Sequence, residues 1–193
     1  MKKYVRAAIC VAFGMFKFFF TKLFHPKWFR GPLISVISPN TEISLDYGGK
    51  LTIGAWFKMR GGAKLRVRNG AECVIGDRTS MNCNCMITCH EKILIGNDVQ
   101  FSPNVQIYDH DHDYRAGLEN QQYQTAPVTI GNQVWIGANT VILRGTAIGD
   151  HCVIGAGSVL KGVYPDHSLI IQKRETTVHP ISVERSEACE QPI

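Results

Sequence analysis

The side chains most able to do chemistry are concentrated in residues 108–114, which read Tyr-Asp-His-Asp-His-Asp-Tyr. An imidazole loses its proton near neutral pH, so His110 or His112 could act as a general base oriented by Asp109 or Asp111. The same groups could instead hold a metal ion or form a polar corner. The position of the stretch, described below, favours the general base, and the sequence leaves open which histidine fills that role.

The elements that must position this stretch are predicted by a period of six residues. Large aliphatic residues recur at Ile130, Ile136, Ile142, Ile148, Ile154 and Leu160, and glycine follows four of them. An α-helix repeats every three to four residues and a strand every two, so neither explains this pattern. The pattern is typical of hexapeptide repeats, in which three short strands make one coil of a parallel β-helix. We therefore predict an all-β fold in which residues eighteen apart stack.

The same period returns less cleanly between Ile53 and Ile107. The spacing from Ile87 to Ile95 is two residues too long, which predicts a bulge. The first coils are expected to be irregular and capped by residues 31–50. Three domains follow: a basic N-terminal helix over residues 1–30, a β-helix domain over 31–170 and a tail over 171–193.

The largest break in the period lies between Ile107 and Ile130. We expect residues of about 109–129 to leave the coil as an excursion loop. Long excursions from a rigid scaffold tend to be functional, and histidines at the mouth of such a loop are well placed to face a cleft between subunits.

The N-terminal region differs from the rest of the chain in charge and hydropathy. Residues 1–41 contain seven Lys or Arg and no acidic residue, whereas the remaining charges nearly cancel, which argues against a nucleic-acid-binding protein. Residues 4–24 are apolar at helical spacing and are interrupted by Lys17. We expect a basic amphipathic helix on an anionic membrane surface; the alternatives are a helix packed on the coil or on another subunit, and a signal peptide.

The seven cysteines indicate a reducing compartment, because an odd number cannot pair completely within the chain. Cys83, Cys85, Cys89 and His90 are close enough in sequence to suggest zinc. Cys85, like Cys152, falls at a small inward position of the repeat, where cysteine serves as a buried apolar residue. No metal site is therefore expected, and the protein is expected to be cytoplasmic.

Residues 82–163 resemble the hexapeptide-repeat acyltransferases, specifically the maltose, galactoside and polysaccharide O-acetyltransferases. The segments that carry the resemblance begin at Asn82, Ile95, Asp109, Pro127 and Val141, and read NCNC, IGNDVQFSPNV, DHDH, PVTIGNQVWIGA and VILRGTAIGDHCVIGAGSV. The resemblance implies a left-handed β-helix, a homotrimer with active sites between subunits, and acetyl-CoA as the acyl donor.

The resemblance also implies roles for individual residues. It places the catalytic histidine at His112, with His110 as the alternative, and an active-site asparagine at Asn84. The cofactor would lie against Trp135 and the backbone near Ala138 and Ala156. The family's phosphate-binding turn is not matched here, so the cofactor-binding candidates Lys161, Lys173 and Arg174 are chosen by charge alone.

The expected reaction transfers an acetyl group to a sugar hydroxyl. The basic apolar N-terminus suggests that the acceptor is a lipid-linked glycan of capsule, O-antigen or exopolysaccharide, at the inner face of the cytoplasmic membrane. Alternative acceptors are free sugars, amino sugars and xenobiotics. A metal-dependent enzyme resembling the γ-carbonic anhydrases, with His90, His110 and His112 as ligands, is a further alternative. The last alternative is a β-helix without catalytic activity that only binds partners.

Overall fold

The computed structural model describes residues 2–116, 120, 122–173 and 175–179. These residues form a parallel β-helix with one long helix, α1 (Lys2–Phe24), packed against its first coil. The predicted all-β fold of hexapeptide repeats with an N-terminal helix is confirmed. Of the predicted tail, Arg174 and residues 180–193 lie outside the described residues.

Each coil contributes one strand to each of three parallel sheets. The first sheet contains β1 (Phe29–Arg30), β4 (Lys50–Ile53), β7 (Glu72–Ile75), β10 (Lys92–Ile95), β15 (Val128–Ile130), β18 (Ala147–Ile148) and β21 (Val163–Tyr164). The second contains β2 (Val36–Ile37), β5 (Lys58–Met59), β8 (Ser80–Met81), β11 (Gln100–Phe101), β16 (Trp135–Ile136), β19 (Val153–Ile154) and β22 (Leu169–Ile170). The third contains β3 (Glu42–Leu45), β6 (Lys64–Val67), β9 (Met86–Cys89), β12 (Gln106–Tyr108), β17 (Val141–Ile142) and β20 (Val159–Leu160).

The aliphatic residues of the repeat form the core of the β-helix. Ile130 pairs with Ile148, and the other members of the series stack in the same way at eighteen-residue spacing. The small residues between them, such as Thr140 and Cys152, are also fully buried. The core is therefore a continuous column in which each coil covers the apolar face of the previous one.

The first corner of each coil, between the first and second sheets, joins successive coils closely. A Cβ atom on Gly131 would lie 2.7 Å from the backbone nitrogen of Asp150, so only glycine fits there. The next residue clamps two coils together, because the Asn132 side chain accepts a hydrogen bond from the Asn97 N–H and Asp150 accepts one from Asn132. The complete ladder consists of Asp77, Asn97, Asn132, Asp150 and Asp166.

The third corner, between the third and first sheets, varies in length, whereas the other two corners contain four residues each from β4 onward. It contains four residues at 68–71, two at 90–91 and nineteen at 109–127. The bulge expected after Ile87 is replaced by a longer strand, since Ile87 and Cys89 both face the core in β9. The first coils are regular, with Ile53 paired to Ile75, and they are longer than eighteen residues.

The helix α1 covers the open end of the first coil. Cys10, Gly14 and Phe18 are buried along one side of it, and the Phe18 ring meets the edge of Phe29 at 5.2 Å between centroids. By length and hydropathy residues 4–24 could cross a membrane, although helices that pack on a protein can have the same composition. In the described residues the helix, and not residues 31–50, forms the cap, because residues 31–50 contribute strands β2 and β3 to the coils.

Candidate active site

The site is built around the buried carboxylate of Asp109, the first residue of the long third corner. Asp109 is fully buried and accepts hydrogen bonds of 2.8 Å from the backbone N–H groups of His90, Glu91 and Lys92. Successive backbone N–H groups of this kind form an anion-binding concavity. Burial raises the pKa of Asp109, but the hydrogen bonds from His110 and from the backbone outweigh it, so the pKa lies below its usual value. The carboxylate is therefore charged at neutral pH.

The Cys89 thiol beside this carboxylate is poorly suited to act as a nucleophile. The Cys89 thiol lies 3.4 Å from Asp109 Oδ2, and burial raises its pKa well above the usual range. The six cysteines in the described residues are all free. Cys85 and Cys152 are buried at the small inward position of the repeat, as the sequence predicts.

His110 is held by this carboxylate. Its Nδ1 lies 3.2 Å from Asp109 Oδ1, which favours the tautomer with the proton on Nδ1. Its ring stacks on that of His90 with 3.7 Å between centroids, and Tyr108 and Tyr123 meet it edge-on. Only 13% of its side chain is exposed. His110 is thus rigidly placed and largely enclosed.

The sequence indicated His90 only as a possible metal ligand, either with the nearby cysteines or with His110 and His112, whereas the structure stacks its ring on that of His110. The pKa of His90 is lowered to about 4, mainly by burial and secondly by the charge of the neighbouring His110. Its ring is therefore neutral at pH 7. A signal for it exists in the sequence: Ile87 pairs with Ile107 at twenty-residue spacing, and the same offset places His90 beside His110. The long spacing from Ile87 to Ile95 thus marks a corner of the site.

His112 lies on a hairpin that leaves the coil. Strands β13 (His110–His112) and β14 (Tyr123–Thr125) are antiparallel, and a short 3-10 helix over Tyr114–Ala116 follows β13. Residues two apart on a strand share a face, and the rings of both His110 and His112 contact Tyr123. His112 is exposed, with its ring centroid 4.7 Å from that of Tyr123.

The opposite face of the hairpin is fastened to the coil. The Arg144 guanidinium donates hydrogen bonds to Asp111 Oδ2 at 2.6 Å and to Gln124 Oε1 at 2.9 Å. Asp111 therefore contacts Arg144, and Asp109 is the carboxylate that contacts an imidazole. Arg144 and Tyr123 place the hairpin. Tyr123 has no periodic or motif signal in the sequence, and Arg144 lies in the segment that begins at Val141, which does not indicate its contact with the hairpin.

The structure does not bring Asn84 to the histidines within one chain. Asn84 is exposed at the second corner, between the second and third sheets, and Ala138 and Ala156 lie at the same corner of later coils. The histidines lie beyond the other end of the third sheet. Six residue steps, which include the four residues of β9, lead from Asn84 to His90, and they span about 20 Å at roughly 3.3 Å per residue.

Trp135 borders a polar groove on the outer face of the second sheet. Its side chain is exposed and donates a hydrogen bond from Nε1 to Ser102 Oγ at 3.1 Å. The groove has a volume of about 260 Å³ and is lined also by Lys58, Arg60 and Arg78. The sequence analysis did not single out these three basic residues, which come from coils before the strongest part of the repeat.

The basic residues chosen by charge lie elsewhere. Lys161 is exposed at the third corner, and Lys173 is exposed beyond β22. Neither lines the groove beside Trp135. The predicted roles of these residues, and of His112, His110 and Asn84, stay predictions.

The described residues contain no group of three or more His, Cys, Asp or Glu side chains arranged to hold a metal ion. The geometry of the histidines explains this for the proposed carbonic-anhydrase-like set. The rings of His90 and His110 stack at 25°, so their in-plane nitrogen lone pairs lie in two nearly parallel planes, an arrangement that disfavours convergence on one ion within a chain.

Comparison with known proteins agrees with the hexapeptide fold. The bacterial transferase hexapeptide (six repeats) family model matches residues 127–162. The chain is 39% identical over 92 residues to galactoside O-acetyltransferase of Escherichia coli K12, covering 47% of this chain and 45% of that protein. It is 28% identical over 137 residues to WbbJ of the same strain, named for O-acetyl transfer in lipopolysaccharide biosynthesis, covering 66% and 67%.

A solved structure supports the fold alone. AntD, an N-acyltransferase from Bacillus cereus in complex with dTDP and 3-hydroxybutyryl-CoA, matches with a TM-score of 0.60 at 18% identity, over 76% of this chain and 79% of that chain. The chain spans about half the length of several curated relatives that it matches. The predicted resemblance to hexapeptide-repeat acetyltransferases is confirmed.

Proposed function

We propose that this hexapeptide-repeat protein is an acetyl-CoA-dependent O-acetyltransferase that acetylates a sugar hydroxyl at the interface between subunits of a homotrimer. Support comes from the relatives named for O-acetyl transfer and from the histidine cluster at the third corner. The observation that carries the proposal is the separation of Asn84 and Ala138 from the histidines by the width of a sheet.

That separation is too large for one chain to complete the reaction. Acetyl transfer needs the base within hydrogen-bond reach of the hydroxyl, and the hydroxyl close to the thioester carbonyl. A second copy can bring its second corner, with Asn84 and Ala138, against the projecting hairpin of the first. Closed cyclic symmetry then gives three equivalent sites in a trimer.

We assign the base to His112 because it is the histidine that an acceptor can reach. His110 is enclosed by His90 and Tyr123 and is bonded to Asp109, whereas His112 is exposed on the same face of the hairpin. In this assignment His110 and Asp109 position the hairpin.

The chemistry follows from these placements. A ring nitrogen of His112 removes the hydroxyl proton while the sugar oxygen attacks the thioester carbonyl carbon. Backbone N–H groups at the second corner of the neighbouring copy, near Ala138 and Ala156, stabilise the resulting oxyanion, and Asn84 orients the acceptor. When the carbon–sulfur bond breaks, the imidazolium returns the proton to the CoA thiolate.

The donor site is proposed along the second sheet. Trp135 offers an exposed aromatic face, and Lys58, Arg60 and Arg78 supply positive charge in the same groove for phosphate groups. The Arg78 charge is partly compensated, since its guanidinium pairs with Asp98 at 2.6 Å. Lys161 and Lys173 remain candidates for the far end of the cofactor.

For the acceptor we propose a surface polysaccharide precursor, and for the location the cytoplasm. The similarity to WbbJ supports the polysaccharide class. The free cysteines of the described residues are consistent with a reducing compartment.

The proposal is tested by incubating the protein with radiolabelled acetyl-CoA and glycan acceptors. We expect label in the glycan that mild alkali releases, because an O-acetyl ester is hydrolysed under conditions that leave an N-acetyl amide intact. Alkali-stable label would indicate an amino-sugar acceptor instead. Absence of transfer to sugars of any kind would contradict the proposal.

The shared site is tested by mixing two inactive variants, His112→Ala and Asn84→Ala, after dissociation and reassembly. If the two residues act from different chains, about a quarter of the interfaces in random trimers carry both native residues and regain activity. If both act from one chain, reassembly restores nothing, and the interface proposal is wrong.

A further inference from the structure

The helix α1 has two apolar faces, and only one of them is covered. Cys10, Gly14 and Phe18 pack on the first coil, so closely that a Cβ on Gly14 would collide with the Ser35 carbonyl oxygen. The other face carries an exposed outer stripe, formed by Val5, Ile9, Phe16, Phe19 and Leu23.

The outer stripe is opposite to the buried seam. At 100° per residue, Val5 and Leu23 lie half a turn around the helix from Gly14. Between 53% and 60% of each stripe side chain is exposed, which is unusual for two phenylalanines on one surface. A solvent-facing helix side would normally be polar, so this stripe requires an apolar partner.

Charge identifies the kind of partner. Arg6 and Lys22 are exposed and lie between the seam and the stripe, about a quarter turn from Gly14. Lys27 and Arg30 are exposed just beyond the helix, and no acidic residue occurs before Glu42. Basic side chains that flank an apolar stripe are typical of helices lying in the headgroup region of an anionic bilayer.

We propose that α1 docks the β-helix on an anionic membrane surface, with the outer stripe in the acyl boundary and the flanking basic residues among the headgroups. The helix lies parallel to the surface, since its seam is fixed to the first coil. A spanning orientation would pull Phe18 from its contact with Phe29 and uncover Ile37, both of which are buried.

This surface is independent of the proposed reaction: acetyl transfer can be measured without vesicles, and vesicle binding without a substrate. If the chain is an acetyltransferase of lipid-linked glycans, docking would place it on the membrane that carries its acceptor. Failure of docking would leave soluble acetylation unchanged, so the two proposals fail separately.

The test is flotation of the full chain with phosphatidylcholine vesicles containing about 30% phosphatidylglycerol. We expect binding that weakens about tenfold or more between about 0.05 and 0.5 M salt, because the basic residues are screened. The double variant Phe16→Ser/Phe19→Ser should lower the affinity about 10²-fold through lost apolar burial. The matched control Val163→Ser/Leu169→Ser removes two exposed apolar residues at the other end of the β-helix and should float like the native chain.

Three results would overturn the proposal. The first is equal flotation of the Phe16→Ser/Phe19→Ser variant and the native chain. The second is a native chain that does not bind vesicles, together with a Phe16→Ser/Phe19→Ser variant that sediments as a smaller oligomer than the native chain. That result would show that the stripe contacts a second copy of the chain. The third is resistance of the native chain to alkaline carbonate extraction, which would indicate a spanning helix.

Discussion

The first two corners and the third corner of each coil are built from the same kind of repeat, but only the third corner varies in length. From β4 onward the first and second corners keep four residues, whereas the third ranges from two residues to the nineteen of 109–127. At the first corner, coil-to-coil ladders and the glycine contact at Gly131 allow no insertion. At the third corner the chain can leave and return to the next strand, because Ile95 pairs with Ile130 across the excursion.

The two kinds of corner serve stability and chemistry separately. The fixed corners hold the coils in register, and the variable corner collects Asp109, His90 and His110 around one buried carboxylate. A repeat fold therefore gains a reactive site where its period is interrupted. Substitutions at the variable corner should mainly change rate, and those at the fixed corners should mainly change stability.

The largest effect is expected for the proposed base. His112→Ala should lower the acetyl-transfer rate by about 10²- to 10⁴-fold while CoA affinity stays nearly unchanged. His110→Ala should cost less, through hairpin placement alone. Steady-state kinetics measures both, and His151→Ala, an exposed histidine of a fixed corner, serves as the control with native rate.

The reverse order of the two loop histidines would move the base to His110. Native turnover in the double variant would show that the third corner takes no part in the reaction. Loss of activity on chelation, with loss of a bound ion in either variant, would indicate metal chemistry instead.

Substitution at a corner of constant length should change the free energy of unfolding. Gly131→Ala should cost about 3 kcal/mol of unfolding free energy, since its Cβ would meet the backbone of the next coil. Gly155→Ala follows an inward isoleucine in the same way, but its nearest neighbour atom lies at 3.4 Å. We expect that variant to be neutral or stabilised by up to about 1 kcal/mol. Urea unfolding compares them, and equal losses would refute the close-approach explanation.

Asp109 should affect both quantities, because it supports the site from inside the core. Asp109→Asn removes the charge and one acceptor oxygen, and should cost about 2–3 kcal/mol in urea unfolding at pH 7. Asp111→Asn, at a partly exposed ion pair, should cost less than about 1 kcal/mol. The lowered pKa of Asp109 means that its stabilising contribution is present above about pH 4 and is lost as the pH falls further. Equal losses in the two variants would show that the buried hydrogen bonds add nothing.

The smallest expected effect is the pH response of His90. Its pKa falls from the ordinary 6.5 to about 4 in the folded chain, so protonation favours the unfolded chain. Native stability should therefore decrease as the pH falls from 6.5 towards 4. Because the ring is partly exposed, we expect a loss of only about 1 kcal/mol between pH 7 and 5. His90→Gln should flatten this slope and His151→Gln should not; identical slopes in all three proteins would contradict the buried-imidazole assignment.

The fold could be predicted from sequence because the core repeats. Ile130 and Leu160 report the period directly, and strict stacking leaves few alternatives. The longer first coils were misjudged because Val67 and Cys89 each add a further inward residue and lengthen their strands by two residues, which a six-residue template scores as irregularity. The positions of side chains around Asp109 depend on a hairpin whose fastening to Arg144 has no period at all.

The candidate site was predicted only in part for a related reason. The histidines of the excursion were found by residue type. His90 was considered only as a possible metal ligand, because its stacking on His110 depends on the register of two coils. Asn84 and Trp135 were assigned through family resemblance, and one chain alone places them away from the histidines.

The position of α1 has a consequence for the behaviour of the protein in concentrated solution. The outermost strands of a β-helix present unpaired backbone N–H and C=O groups that can recruit strands from another molecule. An α-helix satisfies its own backbone groups and offers no such template. By lying over β1 and β2, α1 covers the outermost strands of two of the three sheets, and we expect it to hinder the end-to-end joining of two solenoids into a fibre.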